Sequence, residues 1–170
     1  MAPKAKAFGM RVVTYDPYVP DEVFSRSAVE RVDFDELVKI SDFISIHTPL
    51  TAVTHHLFNA DVFSKMKPNA YLINTARGPI IDEAALAQAL DMKQIAGAAL
   101  DVMEKEPPVE SALFGRDNVI LTPHTSFYSE ESLIDLQTRA AEEVVRVLTG
   151  QTPKNFVNPE VFKSAVRSSN

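Results

Sequence analysis

The stretch Ala70-Tyr71-Leu72-Ile73-Asn74-Thr75-Ala76-Arg77-Gly78 runs from apolar residues through polar ones to a glycine, and the next helical segment begins at Asp82. An apolar run without alternation reads as a strand buried on both faces, which is the habit of parallel sheets. The same pattern recurs at Arg11 to Tyr15, Phe43 to His47, Ile95 to Leu100 and Val119 to Thr122. Between these runs lie segments of helical character, Asp33 to Lys39, Asn59 to Met66 and Asp82 to Met92. Strands alternating with helices predict an α/β fold with a doubly wound parallel sheet. A final long helix is written by Leu133, Leu136, Ala140, Val144 and Val147 at three-and-four spacing, starting near Ser129 and stopping at Gly150. Its apolar stripe is expected to cover a sheet face or a partner subunit. Residues 1–150 are read as one domain and residues 151–170, which lose periodicity, as a C-terminal tail.

Composition narrows the function. The 170 residues suit one compact body, and 45% hydrophobic with 24% charged residues is globular usage. A net charge of -6 without a basic stripe argues against a nucleic-acid ligand. No apolar run is long enough for a bilayer and no export signal opens the chain, so no membrane partner and a cytoplasmic location are expected. With no Cys, the chain has no disulfide, thiolate zinc site or Cys nucleophile. Its four His are scattered without an HExxH spacing, so no metal site is expected.

In open parallel sheets a ligand lies off the carboxyl ends of the strands. The residues after the five runs are Asp16, Thr48, Arg77, Asp101 with Glu106, and His124. Asp16 could accept both hydroxyls of an adenosine ribose and would repel a ribose phosphate, which implies NAD over NADP; the competing reading is a turn-forming Asp before Pro17. Thr48-Pro49 could offer backbone amides to the same cofactor. The Arg77 guanidinium has a permanent charge and a two-pronged donor face suited to a carboxylate, so it is a candidate substrate anchor and carbonyl polariser. His124 is the candidate acid and base, and a carboxylate beside it would orient it and favour its charged form. Glu106 is that candidate; Glu104 and Lys105 are read as a solvated charge run, and His55 and His56 as surface residues.

Together Tyr15-Asp16-Pro17, His47-Thr48-Pro49-Leu50-Thr51, Asn74-Thr75-Ala76-Arg77-Gly78 with Asp82-Glu83, Gly97 to Val102 followed by Glu106-Pro107, and Pro123-His124 resemble the D-isomer-specific 2-hydroxyacid dehydrogenases. The resemblance runs from about Lys4 to Glu160. The stretch His124 to Glu130 is similar to the C-terminal binding protein branch, and Asn155 to Glu160 to the 3-phosphoglycerate dehydrogenases. It implies a Rossmann-like NAD-binding domain, NAD as cofactor, a small 2-hydroxy or 2-oxo acid as substrate and a homodimer. By the same resemblance Arg77 binds the 2-oxo acid, His124 moves the proton and Glu106 pairs with His124. NAD contacts fall on Asp16, Thr48, Thr75, Ala76, Arg77, Asp101 and His124. The five glycines, at 9, 78, 97, 115 and 150, cannot form the family's G-x-G-x-x-G phosphate turn. Lys4 to Gly9 reads as the end of the helix that follows that turn. The expectation is therefore most of a cofactor domain without its first strand, glycine turn and substrate domain, inactive alone. The rival reading is a non-catalytic, NAD-responsive binding module that uses the Ser129 to Thr149 helix for partners.

Overall fold

The computed structural model describes residues 1–155, 157, 158 and 160. Its elements are α1 (Ala2–Ala7), β1 (Val13–Thr14), α2 (Asp21–Ser27), β2 (Glu30–Arg31), α3 (Phe34–Ile40), β3 (Phe43–Ile46), α4 (Ala60–Lys65), β4 (Tyr71–Asn74), a 3-10 turn (Gly78–Ile80), α5 (Glu83–Asp91), β5 (Gly97–Leu100), β6 (Val119–Leu121) and α6 (Glu130–Leu148). Helix starts follow local chemistry. Asp33, Asn59 and Asp82 each accept the backbone N–H three residues on, so donors that the first helical turn leaves unpaired are satisfied.

The expected parallel sheet forms, in two pieces. β3, β4, β5 and β6 make a four-stranded sheet in that order, and β1 and β2 make a separate two-stranded one. All pairings are parallel, with Phe43 beside Tyr71 and Tyr71 beside Gly97. A Cβ on Gly97 would lie 2.5 Å from the Asn118 carbonyl oxygen, so β5 enters the sheet at a position with no room for a side chain. Helices α4 and α5 bury Val62, Phe63, Leu86 and Leu90 against Ile44, Leu72, Ala98 and Leu100. Phe34 of α3 ties β1 to this body, with ring centroids 5.6 Å from Tyr15 and 5.7 Å from Phe58.

Helices α3, α4 and α5 fall where the periodicity predicts them, while β1 contracts to Val13–Thr14 and β5 starts at Gly97 rather than Ile95. Neither α2 nor β2 is foreseen, because β2 is two exposed charged residues with no apolar run. The chain divides into two compact units, Met1–Ser126 and Phe127–Asn170. α6, placed with the first domain by the sequence reading, belongs to the second unit, and none of its residues is buried. It starts at a capping box of Ser129 and Ser132, as its sequence predicts a start near Ser129. Among the described residues no helix is long and apolar enough to cross a membrane.

Candidate active site

Each strand of the larger sheet delivers its polar residue at the carboxyl end. β6 stops at Leu121, and Thr122-Pro123 lead into His124, whose backbone is left-handed (φ 55°) and donates its N–H to the Asp101 carbonyl at 2.8 Å. The His124 Nδ1 lies 3.0 Å from Glu106 Oε2, with 42% and 37% of the two side chains exposed. Glu106 Oε1 accepts the Met103 N–H at 3.2 Å, so the carboxylate is anchored at one oxygen and meets the imidazole with the other.

Asp101, just beyond β5, is buried, and its carboxylate holds the His124 loop. Oδ1 accepts the Thr122 hydroxyl at 2.5 Å and the Thr125 N–H at 2.9 Å, and Oδ2 accepts the Ser126 N–H at 2.9 Å. Burial by itself would raise this carboxyl, but hydrogen bonds from Ser126, Thr122 and Thr125 outweigh it and hold the group well below the usual carboxylate range.

Arg77 stands on a turn built by Asn74. This fully buried amide donates to the Arg77 carbonyl at 2.9 Å and accepts the Ala76 N–H at 2.9 Å. Gly78 then passes so close to the next strand's exit that a Cβ there would sit 1.8 Å from the Met103 carbonyl oxygen. Thr75 and Arg77 are left exposed, and Arg77 Nη1 donates to the Ala76 carbonyl at 2.6 Å. Thr48 follows β3 by two residues and is half-buried. Asp16 follows β1 by two residues, and its Oδ1 accepts the N–H groups of Tyr18 at 2.9 Å and Val19 at 3.2 Å. The turn role weighed for Asp16 is therefore real, and Oδ2 lies outside it.

Residues given no role by the sequence reading prove to be structural partners of the site. Asn74 could have been found, since an Asn ending a strand before a turn favours such side-chain bonds. Glu104 is not merely solvated: it pairs with His56 at 2.5 Å. No sequence signal links these two, which are 48 positions apart. Partial desolvation pushes His47 below the usual histidine range, and its Nε2 lies 2.9 Å from the Ser45 hydroxyl. Among the described residues no cluster suits a metal ion.

The sequence pattern of the D-isomer specific 2-hydroxyacid dehydrogenase NAD-binding domain matches residues 1–126, ending where the first compact unit ends. The chain belongs to this family, whose cofactor is NAD. It is 47% identical over 156 residues to D-3-phosphoglycerate dehydrogenase of Methanocaldococcus jannaschii, a match covering 91% of this chain and 30% of that protein. With glyoxylate reductase of Thermococcus litoralis it shares 41% over 165 residues, 97% of this chain and 50% of the relative. The chain thus spans half or less of the length of these curated relatives. Among solved structures, D-lactate dehydrogenase of Lactobacillus jensenii with NAD+ superposes with a TM-score of 0.80 at 31% identity, over 92% of this chain and 51% of the other.

Proposed function

We propose that this chain is the cofactor-binding half of an NAD-dependent D-2-hydroxyacid dehydrogenase that interconverts a small 2-hydroxy acid and its 2-oxo acid. The observation that carries the reading is the His124–Glu106 pair at 3.0 Å, set on the same sheet edge as the Arg77 turn. Bound NAD supplies the hydride acceptor and donor. His124 takes the proton from the substrate hydroxyl in oxidation and returns it to the carbonyl oxygen in reduction. Glu106 meets the ring at Nδ1 and orients it for proton exchange with the substrate. Arg77 holds the substrate carboxylate with its planar donors and polarises the carbonyl.

The cofactor would lie along Asp16, Thr48, Thr75, Ala76, Arg77, Asp101 and His124. The Asp16 oxygen outside the Tyr18 turn suits a ribose hydroxyl and disfavours a phosphate there. The fit is partial: Gly78 is consumed in packing against Met103, and none of the five glycines builds a phosphate turn. The chain alone is accordingly proposed to be inactive. A cytoplasmic location and a homodimer belong to the same reading, and for the homodimer α6 offers Leu136, Val144 and Val147, each more than half exposed.

The test joins this chain to the unmatched part of the Methanocaldococcus enzyme and follows NADH-dependent reduction of 2-oxo acids. His124→Ala is expected to lower kcat by about 10²- to 10⁴-fold with NADH affinity unchanged. A near-normal kcat would remove His124 from its role. In the same protein Asp16→Ala should narrow the preference for NADH over NADPH, and equal kcat/KM for both cofactors before mutation would reduce Asp16 to a turn residue.

A further inference from the structure

A second His–carboxylate arrangement lies directly behind Glu106 along the chain. His56 Nε2 is 2.5 Å from Glu104 Oε1, and each side chain is about one third exposed, at 35% and 32%. The other Glu104 oxygen accepts the N–H of Glu83 at 3.2 Å, while Glu83 Oε1 accepts the N–H of Glu104 at 2.5 Å. Glu83 Oε2 also accepts the Ser111 hydroxyl at 3.2 Å. Two glutamates thus exchange backbone-to-carboxylate bonds reciprocally across 21 positions, one of them on the first residue of α5.

Each participant is fixed from its own side. His56 has a left-handed backbone (φ 50°), and its N–H donates to the Pro79 carbonyl at 2.8 Å, within the turn that follows Arg77. Met103 is buried with its carbonyl against Gly78, and its N–H is the one that Glu106 accepts. Residues 102–106 lie outside every helix and strand. They are held by the burial of Val102 and Met103, by the Glu104 bonds and by the Gly78 contact, and Glu104 is the tie that reaches the turn after Arg77 through His56. A partly exposed ion pair adds little to stability, so the consequence of this network is geometric.

We propose that His56, Glu83 and Glu104 are positioning residues that clamp segment 102–106 onto the turn carrying Arg77, so that the Glu106 carboxylate meets His124. The proposal rests on the acid–base reading of His124 and Glu106, and the experiment separates the two.

The imidazoles of the 170-residue chain are titrated by NMR, with His124 assigned by replacement. Among the described residues Glu106 faces the ring and Asp101 holds the backbone of the His124 loop. Glu106→Gln is the direct control and is expected to move the His124 titration to lower pH, because an opposite charge is lost. His56→Asn keeps a residue that tolerates the left-handed backbone but cannot reach Glu104. Removing an imidazole that can carry positive charge would, by Coulomb's law alone, leave His124 unchanged or raise it. A fall in the His124 pKa in His56→Asn therefore reports displacement of Glu106, and that fall is the expected result. Glu104→Ala should lower it likewise, and Glu104→Gln, which keeps an acceptor for the Glu83 N–H, should restore most of the loss. Methyl resonances of Leu72 and Leu86 certify the fold of each variant. If Glu106→Gln moves His124 while folded His56→Asn and Glu104→Ala do not lower it, the clamp is overturned and the acid–base pair stands. Failure of Glu106→Gln to move it overturns both. Should Glu104→Ala unfold, His56→Asn decides alone.

Discussion

Asn74 and Asp101 are buried polar side chains at successive strand ends, and each uses its hydrogen bonds to shape a loop that carries an exposed functional group. Such groups are stable in the interior only because their partners are complete: among the described residues no buried side-chain polar atom lacks one. Asn74→Ala would strip the Arg77 carbonyl and the Ala76 N–H of their partner and is expected to cost about 1 to 3 kcal/mol in urea unfolding. Asp101 makes stability depend on pH with a definite sign. Its folded carboxyl is held below the ordinary value of 3.8, so the folded state favours the ionised form, and the resulting stability is present above that value and lost as pH falls through the folded pKa. The unfolding midpoint of the native chain should thus decline on acidification below about pH 4 more steeply than that of Asp101→Asn. Parallel declines in the two proteins would show that Asp101 is not the titrating group.

At the scale of elements, glycine placement decides how closely neighbours approach. A Cβ at Gly78 would enter the Met103 carbonyl at 1.8 Å, whereas one at Gly9, Gly115 or Gly150 would meet nothing within 4 Å. Gly78→Ala is therefore expected to destabilise the chain by about 1 to 3 kcal/mol, as overpacking does, and to displace the segment leading to Glu106. A urea midpoint equal to the native one would mean that the 3-10 turn has a second place to sit. Local pattern and tertiary contact likewise divide what the sequence alone reveals from what it hides. Gly97–Leu100 announces itself because a strand covered on both faces needs a continuous apolar run, Tyr71–Asn74 because its apolar run ends in a polar turn although Tyr71 stays exposed, and α6 because a Ser cap precedes a three-and-four stripe. Glu30–Arg31 does not, since two charged exposed residues carry no period and only pairing with Val13–Thr14 makes them a strand. Arg77, Glu106 and His124 were legible as residue types following strands. The His56–Glu104–Glu83 bonds were not, because their partners meet only after β4, α5 and β5 have stacked their intervening segments.

For the molecule as a whole, two separate sheets leave β1, β2, β3 and β6 as edge strands among the described residues. Asp42 accepts the Tyr71 N–H at 2.9 Å, so the parallel ladder turns Ile44 and Ile46 toward β4 and the backbone groups of Phe43 and Ser45 to the opposite edge. Likewise Val12 and Thr14 accept from Glu30 and Val32 at 3.2 and 3.1 Å, which leaves the Val13 amide on the far side of β1. An open strand edge is a template for another strand, and Phe43, 59% exposed, adds apolar surface to this one. Amide exchange measured by NMR on the 170-residue chain should alternate along β3, with Phe43 and Ser45 exchanging quickly and Ile44 and Ile46 protected. When the chain is joined to the remainder of the Methanocaldococcus enzyme, any strand that pairs with the β3 edge should protect the Phe43 and Ser45 amides together. Uniform protection along β3 in the isolated chain, at the mass of a monomer, would show that this edge is already covered and would refute the open edge.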